Sequence, residues 1–248
     1  MLLQYHKITS GIIAVAFVVV VQAFSIPFPI FRYLIPVVVL CMCAVQLYNY
    51  FYLIELKKPW AWTLVRLTIF FVVWFGLYSL IHVVFLRGLF LVLSVGVIYL
   101  FERVLGNFGE HLILNEVLLI AWAMFLVALG LSDYFRLAAP FLLGVQFVTL
   151  LLLVRSSFSF VPYRDSVRWA SALAVTLFMT QLQWAVSFLP LHYSALGMLL
   201  FSGFYVLYTL CYYALFNTLT WKRVQFHVGL ATMLAVLTIL ATPWKVIN

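Results

Sequence analysis

The chain has 248 residues, of which 67% are hydrophobic and 8% are charged, and its formal net charge is +8. A soluble domain is about half apolar and about a quarter charged, so this composition excludes a water-soluble fold. The positive charge does not require nucleic acid, because Lys and Arg commonly stand at the ends of membrane helices. We therefore predict a multi-pass protein whose surroundings are the lipid bilayer, with no nucleic-acid partner.

Long apolar runs follow one another along the whole chain. They are too long and too uniform for barrel strands of about ten alternating residues, whereas a helix needs about 20 apolar residues to cross a bilayer. The predicted fold is all-α, a polytopic membrane bundle forming a single transmembrane domain over residues 1–248. The nine predicted spans are about 8–25, 32–54, 63–85, 88–103, 112–131, 136–154, 169–189, 194–216 and 227–242.

Basic residues are distributed unequally between the two sides that nine spans define. Ten lie on the side of the N-terminus: Lys7, Lys57, Lys58, Arg66, Arg103, Arg155, Arg164, Arg168, Lys222 and Arg223. Four lie on the other side: Arg32, Arg87, Arg136 and Lys245. Because the predicted connections are short, the positive-inside rule predicts the N-terminus in and the C-terminus out. We expect a plasma or inner membrane, with anionic lipids at the basic cytoplasmic face.

Two similar segments suggest a weak internal repeat. Phe31-Arg32-x-x-x-Pro36 opens the second span, and Phe135-Arg136-x-x-x-Pro140 opens the sixth. Four spans separate them, so two copies would have the same orientation, as in transporters built from parallel repeats. The alternative is that similar interfacial chemistry recurs at these helix starts without any duplication.

Acidic residues are concentrated near the middle of the chain. Three of the six lie between residues 101 and 116, namely Glu102, Glu110 and Glu116. Glu102 and Glu110 are ordinary helix-end charges, but Glu116 lies about 7 Å inside the fifth span at about 1.5 Å per residue. A carboxylate at that depth is a functional hypothesis that needs a partner.

Three arginines on the same predicted side can pair with Glu116: Arg103, Arg66 and Arg168. A buried ion pair is the structural interpretation. There are two alternatives for Glu116: it forms a protonatable or cation-coordinating site, or its side chain reaches back to the interface.

Amides inside the apolar runs are the second group of candidate polar residues. Such side chains commonly hydrogen-bond to neighbouring helices, each bond contributing about 1 kcal/mol. Gln181 and Gln183 stand two residues apart, so they cannot share one helix face, and one of them is expected to face a cavity.

Catalytic and metal-binding patterns are weak. Glu102, Glu110, His111 and Glu116 do not have the Glu-x-x-His spacing of di-metal bundles, and His82 with His192 is a poor haem pair at helix ends. His192 and Ser194 resemble a base and a hydroxyl, but close neighbours in a turn seldom aim at one another. No nucleotide-binding motif is visible. We predict no metal, cofactor or catalytic residue.

Two functions from different classes remain. The first is a transporter or carrier-like protein for a small solute or a lipid, with a path lined by amides, tyrosines and Glu116. The second is a non-catalytic subunit or scaffold of a membrane complex, which includes a homo-oligomer. An enzyme acting on a lipid is a weaker third, because the expected motifs are missing.

Overall fold

A computed structural model describes residues 2–23, 31–55, 60–104, 110–135 and 139–242. Side chains are described for residues 8–22, 39–40, 42–55, 60–101, 112–133 and 140–242. Within these ranges the chain forms nine α-helices and one short 3₁₀ turn, Phe158–Phe160, and no strand, so the all-α prediction is confirmed. The helices are α1 Leu2–Ala23, α2 Phe31–Glu55, α3 Trp60–Ser79, α4 Val84–Val104, α5 Glu110–Phe135, α6 Ala139–Ser157, α7 Asp165–Val186, α8 Tyr193–Leu215 and α9 Trp221–Ala241.

The described helices include six that are long and apolar enough to cross a membrane. Their apolar segments are Trp60–Ser79, Val84–Phe101, Leu112–Asp133, Pro140–Phe160, Tyr193–Leu215 and Trp221–Ala241, and Ile8–Gln22 is a shorter apolar helix. These helices support a multi-pass membrane protein in contact with lipid. The count of nine crossings and the orientation stay predictions.

Most helix ends differ from the sequence-based boundaries by one to six residues, and polar side chains lie at three of the ends that moved. The third run was expected to reach residue 85, but α3 ends at Ser79, and Arg87 Nε donates a hydrogen bond to the Ile81 carbonyl just beyond it. The helix α7 begins at Asp165 rather than at residue 169, because a carboxylate in the first turn favours the helix dipole. The helix α9 begins at Trp221 rather than at residue 227, with Thr220 Oγ1 accepting a hydrogen bond from the Arg223 amide. Apolar runs alone do not reveal such polar helix ends.

The chain divides into two compact units, Met1–Leu112 and Ile113–Asn248. In the first unit α1 packs on α4, and α2 packs on α3. The helices α3 and α4 are joined by stacking of Phe70 on Phe101, with ring centroids 4.3 Å apart, and by a 2.7 Å hydrogen bond from Trp74 Nε1 to Ser94 Oγ. Aromatic side chains thus join α3 to α4, as the aromatic-rich composition leads one to expect.

In the second unit α6 packs on α7, α7 on α8, and α8 on α9. The helix α5 packs on α8, where Phe125 and Phe204 have ring centroids 5.8 Å apart. Each unit thus contains a first helix packed on its fourth and a second packed on its third. A four-helix duplication would give this order, and the duplication itself stays a prediction.

The closest approach of α5 to α8 depends on Gly197, and this contact gives a prediction about stability. A Cβ atom at Gly197 would lie 2.7 Å from Leu126 Cδ2 and 3.5 Å from Leu126 Cα. We expect Gly197→Val to lower the melting temperature in detergent by several degrees, because overpacking costs about 1–3 kcal/mol. The matched control is Gly229→Val, since no atom lies within 4 Å of a Cβ built at Gly229 on α9. Equal melting temperatures for the two variants would contradict the packing described here.

Candidate functional site

The predicted partners of Glu116 do not all lie in the same unit. Arg66 is 2% exposed in the second turn of α3, in the first unit, and Glu116 is half-buried in the second turn of α5, in the second unit. Each takes part in polar or electrostatic interactions. The side chain of Arg103 lies outside the described residues, as do those of Glu102, Glu110 and His111. An ion pair between Glu116 and an arginine therefore stays a prediction.

Arg168 braces the connection between α6 and α7. Its Nε and Nη2 atoms donate hydrogen bonds of 3.0 and 2.7 Å to the Val161 carbonyl, and its Nη1 atom lies 4.0 Å from Asp165 Oδ1. These contacts satisfy a carbonyl that follows the 3₁₀ turn. Within the described contacts, Arg168 is therefore a structural residue of this connection.

Among the described residues of the second unit the buried cation is Arg155, which the sequence analysis treated only as a helix-end charge. Its side chain is 3% exposed, forms an ion pair with Asp165, and lies 5.1 Å from the ring centroid of Trp169. Burying a charge is costly unless it is paired, so Asp165 and Trp169 together make the burial of Arg155 tolerable. The sequence contained a signal for this ion pair, because Arg155 ends an apolar run and Asp165 follows ten residues later.

Two connections lie side by side at the same end of the second unit. Tyr163 Oη, in the connection between α6 and α7, donates a 3.3 Å hydrogen bond to Asn217 Oδ1, in the connection between α8 and α9. Asn217 has a φ of 54°, a left-handed conformation that asparagine tolerates. We call this region the basic end; its cations are Arg155, Arg164, Arg168, Lys222 and Arg223. The attraction of anionic lipids to it stays a prediction.

A pair of buried amides joins α6 to α7 inside the apolar segment. Gln183 Nε2 donates a hydrogen bond to Gln146 Oε1, and the two residues are 7% and 4% exposed. Gln181, two residues earlier on α7, is exposed. The two candidate amides of α7 thus lie on different faces, and Gln183 is the one that meets another helix.

Gln183 also lines the smaller of two adjoining cavities at the other end of the second unit. The smaller cavity has a volume of about 190 Å³ and the larger about 520 Å³, and both are lined by Leu129, Ser132 and Ser187. We call the two cavities together the groove. Its remaining lining residues are Ala128, Leu142, Leu143, Gln183, Trp184 and Phe188 in the smaller cavity, and Asp133, Leu189, Pro190, Leu191, Tyr193 and Leu196 in the larger.

The side of the smaller cavity is bordered by aromatic side chains that face away from the protein. Trp184 is 60% exposed and Phe188 is 70% exposed, and their rings meet edge to face with centroids 5.2 Å apart. In a membrane protein such side chains contact lipid or the interfacial region. The groove is therefore open beside two exposed aromatic rings.

His192 and Ser194 stand next to the groove and do contact each other, contrary to the sequence-based expectation. His192 Nδ1 lies 2.8 Å from Ser194 Oγ and accepts a 3.4 Å hydrogen bond from the Ser194 amide at the start of α8. A side chain that accepts a backbone N–H at this position is a helix cap. The contact arises because the cap brings two neighbouring side chains together.

Sequence reasoning missed the groove, since Ser132 in α5 and Ser187 just after α7 are 55 residues apart in the chain. The chemistry it offers is hydrogen bonding by Ser132 and Ser187, one carboxylate, and an apolar wall. Among the described residues no group of three His, Cys, Asp or Glu side chains is placed to hold a metal ion. No protein-family model, curated protein or solved structure matches the chain.

The amide pair gives a second prediction. We expect Gln183→Leu and Gln146→Leu each to lower the melting temperature in detergent, because each leaves a buried amide without its partner. The double variant should lose less than the sum of the two, with a coupling of about 1 kcal/mol. Gln181→Leu is the matched control on the exposed face of the same helix, and it should leave the melting temperature unchanged. Strictly additive losses would show that the two amides do not interact.

Proposed function

We propose that this protein is a carrier-like membrane protein that takes a lipid from the bilayer into the groove of its second unit. The observation that carries the proposal is a cavity bordered by Trp184 and Phe188, two side chains that are 60% and 70% exposed. A binding site for a water-soluble solute is usually enclosed or faces water. A cavity that opens beside membrane-facing aromatic residues suits a substrate that arrives through the bilayer.

The polar groups of the groove support the same proposal. Ser132 and Ser187 lie where the two cavities meet, and Gln183 lies in the wall of the smaller one. Polar side chains are costly at membrane depth unless they are paired or functional. The Gln183–Gln146 bond satisfies part of the wall, and the Ser187 hydroxyl can exchange its hydrogen bond to the Trp184 carbonyl for one to a substrate.

A non-catalytic subunit or scaffold of a membrane complex is the alternative function, and helix exposure favours it. Only 11% of the apolar segment Val84–Phe101 in α4 and 6% of Trp221–Ala241 in α9 is buried, compared with 50% of Leu112–Asp133 in α5. The faces left open by α4 and α9 can contact lipid or another membrane protein. A homo-oligomer, nine crossings, the N-in orientation and a plasma or inner membrane belong to the proposal in either case.

Movement of a labelled lipid across vesicles tests the carrier function. We expect the reconstituted protein to speed the loss of inner-leaflet signal from a fluorescent phosphatidylcholine after a membrane-impermeant reductant is added. Ser132→Phe and Ser187→Phe fill the groove and should slow this movement by about tenfold or more, since each places a ring where the cavities meet.

Ser166→Phe is the matched control, because Ser166 is an exposed serine at the opposite end of α7. It should move the labelled lipid as fast as the unchanged protein. If vesicles with the unchanged protein behave like protein-free vesicles, the carrier function is wrong. If the groove variants and Ser166→Phe are equally fast, the groove is not the path.

Glu116→Gln separates the carrier from the subunit interpretation. Glu116 is half-buried in α5 and has an interaction partner. If the carboxylate only stabilises the fold, the variant should melt at a lower temperature and retain lipid movement in proportion to the folded protein. If the Glu116→Gln protein is as abundant as the unchanged protein but no longer moves lipid, Glu116 takes part in transport and the scaffold interpretation is refuted.

A further inference from the structure

We infer that the groove binds a phospholipid whose headgroup carries an ammonium group, such as phosphatidylethanolamine, and that Asp133 is the ion-pair partner of that group. The inference rests on the proposed function, because it names the substrate class of the same groove. It goes beyond that function in assigning the headgroup charge and the residue that recognises it.

The two cavities differ in a way that matches the two parts of a lipid. The smaller is lined by Leu142, Leu143, Trp184 and Phe188, which offer an apolar wall for acyl chain carbons. The larger contains Asp133, Ser187 and Tyr193 around the ends of α5 and α7 and the start of α8. Helix ends lie at headgroup depth when the helices cross a bilayer. A lipid can place its polar head in the larger cavity and its apolar chain in the smaller one, so that each part meets a lining of its own character.

The charge of the groove lining determines which lipid headgroup it attracts. Asp133 is the charged residue among the described residues that line the groove; Arg136, three residues later in the sequence, lies outside the described residues. The five cations of the basic end stand at the end of α6, around the start of α7 and at the start of α9, whereas the groove lies by the start of α6 and the end of α7. A cationic group in the larger cavity is attracted by the Asp133 carboxylate, whereas a purely anionic headgroup is repelled by it.

The bilayer is a better source of this ligand than water. A free amine such as ethanolamine phosphate would leave the apolar wall of the smaller cavity uncovered, and burial of apolar surface is the main favourable contribution to binding. The exposed rings of Trp184 and Phe188 beside that wall continue it toward the acyl chains. Both parts of the groove are used only when head and chain belong to one molecule.

Photo-crosslinking in vesicles tests the inference. The full chain is reconstituted with a photoactivatable phosphatidylethanolamine or with the chain-matched phosphatidylglycerol, and mass spectrometry measures labelling of the peptides that contain residues 128–133 and 183–196. We expect the amine lipid to label these peptides about fivefold more than the anionic lipid, the size of one partly exposed ion pair. Asp133→Asn should remove the preference, and Asp133→Glu should retain it.

The outcomes distinguish this inference from the proposed function. Equal labelling by both lipids, or an undiminished preference in Asp133→Asn, overturns the headgroup assignment and leaves a lipid-binding groove. If neither lipid labels the groove more than it labels α9, the headgroup assignment and the proposed lipid-carrier function are both wrong. If millimolar ethanolamine phosphate abolishes the labelling, the site belongs to a soluble amine and the bilayer source is wrong. The comparison of two lipids on the unchanged protein does not depend on whether any variant folds.

Discussion

The requirement that polar groups be satisfied without water governs this structure. A chain that is 67% hydrophobic lies in lipid, where each unpaired backbone group costs several kcal/mol, so its backbone pairs within helices. The same requirement applies to the side chains inside the bundle. Gln183 is buried against Gln146, and Arg155 is buried against Asp165 and beneath Trp169. These two pairings explain how the second unit holds polar groups between apolar helices.

The two ends of the second unit have opposite chemical character. At the basic end, Arg155 and Arg168 are occupied by Asp165 and by the Val161 carbonyl, so they hold the connections together. At the other end, the groove exposes serine hydroxyls and one carboxylate beside aromatic side chains. Arg155 and Arg168 thus hold the fold together at the basic end, while the groove places accessible hydroxyl and carboxylate groups beside apolar walls. This difference is the reason for placing the proposed lipid site in the groove.

The fold could be predicted much further than the site. Apolar runs of about 20 residues leave few alternatives to membrane helices, and all nine runs correspond to described helices, with ends that shift where polar side chains end or start a helix. Arg87 beyond α3 and Thr220 before α9 act through single hydrogen bonds that hydropathy does not detect. The choice of Glu116 and Arg103 as site residues stays a prediction, because it rests on their rarity and on their depth in a predicted span. Rarity says nothing about which helices are neighbours.

By itself, the sequence determined the environment of the protein, its helical class and the approximate position of each helix, because these depend on local composition and on the thickness of a bilayer. It also limited the candidate polar residues to a short list. Only the tertiary structure decided which of two amides, Gln181 or Gln183, meets another helix, and which of the described arginines of the second unit is buried. It alone assembled the groove from Ser132 and Ser187. The physical reason is that helix packing is set by side-chain shapes at distant positions, such as Gly197 against Leu126, which no local pattern encodes.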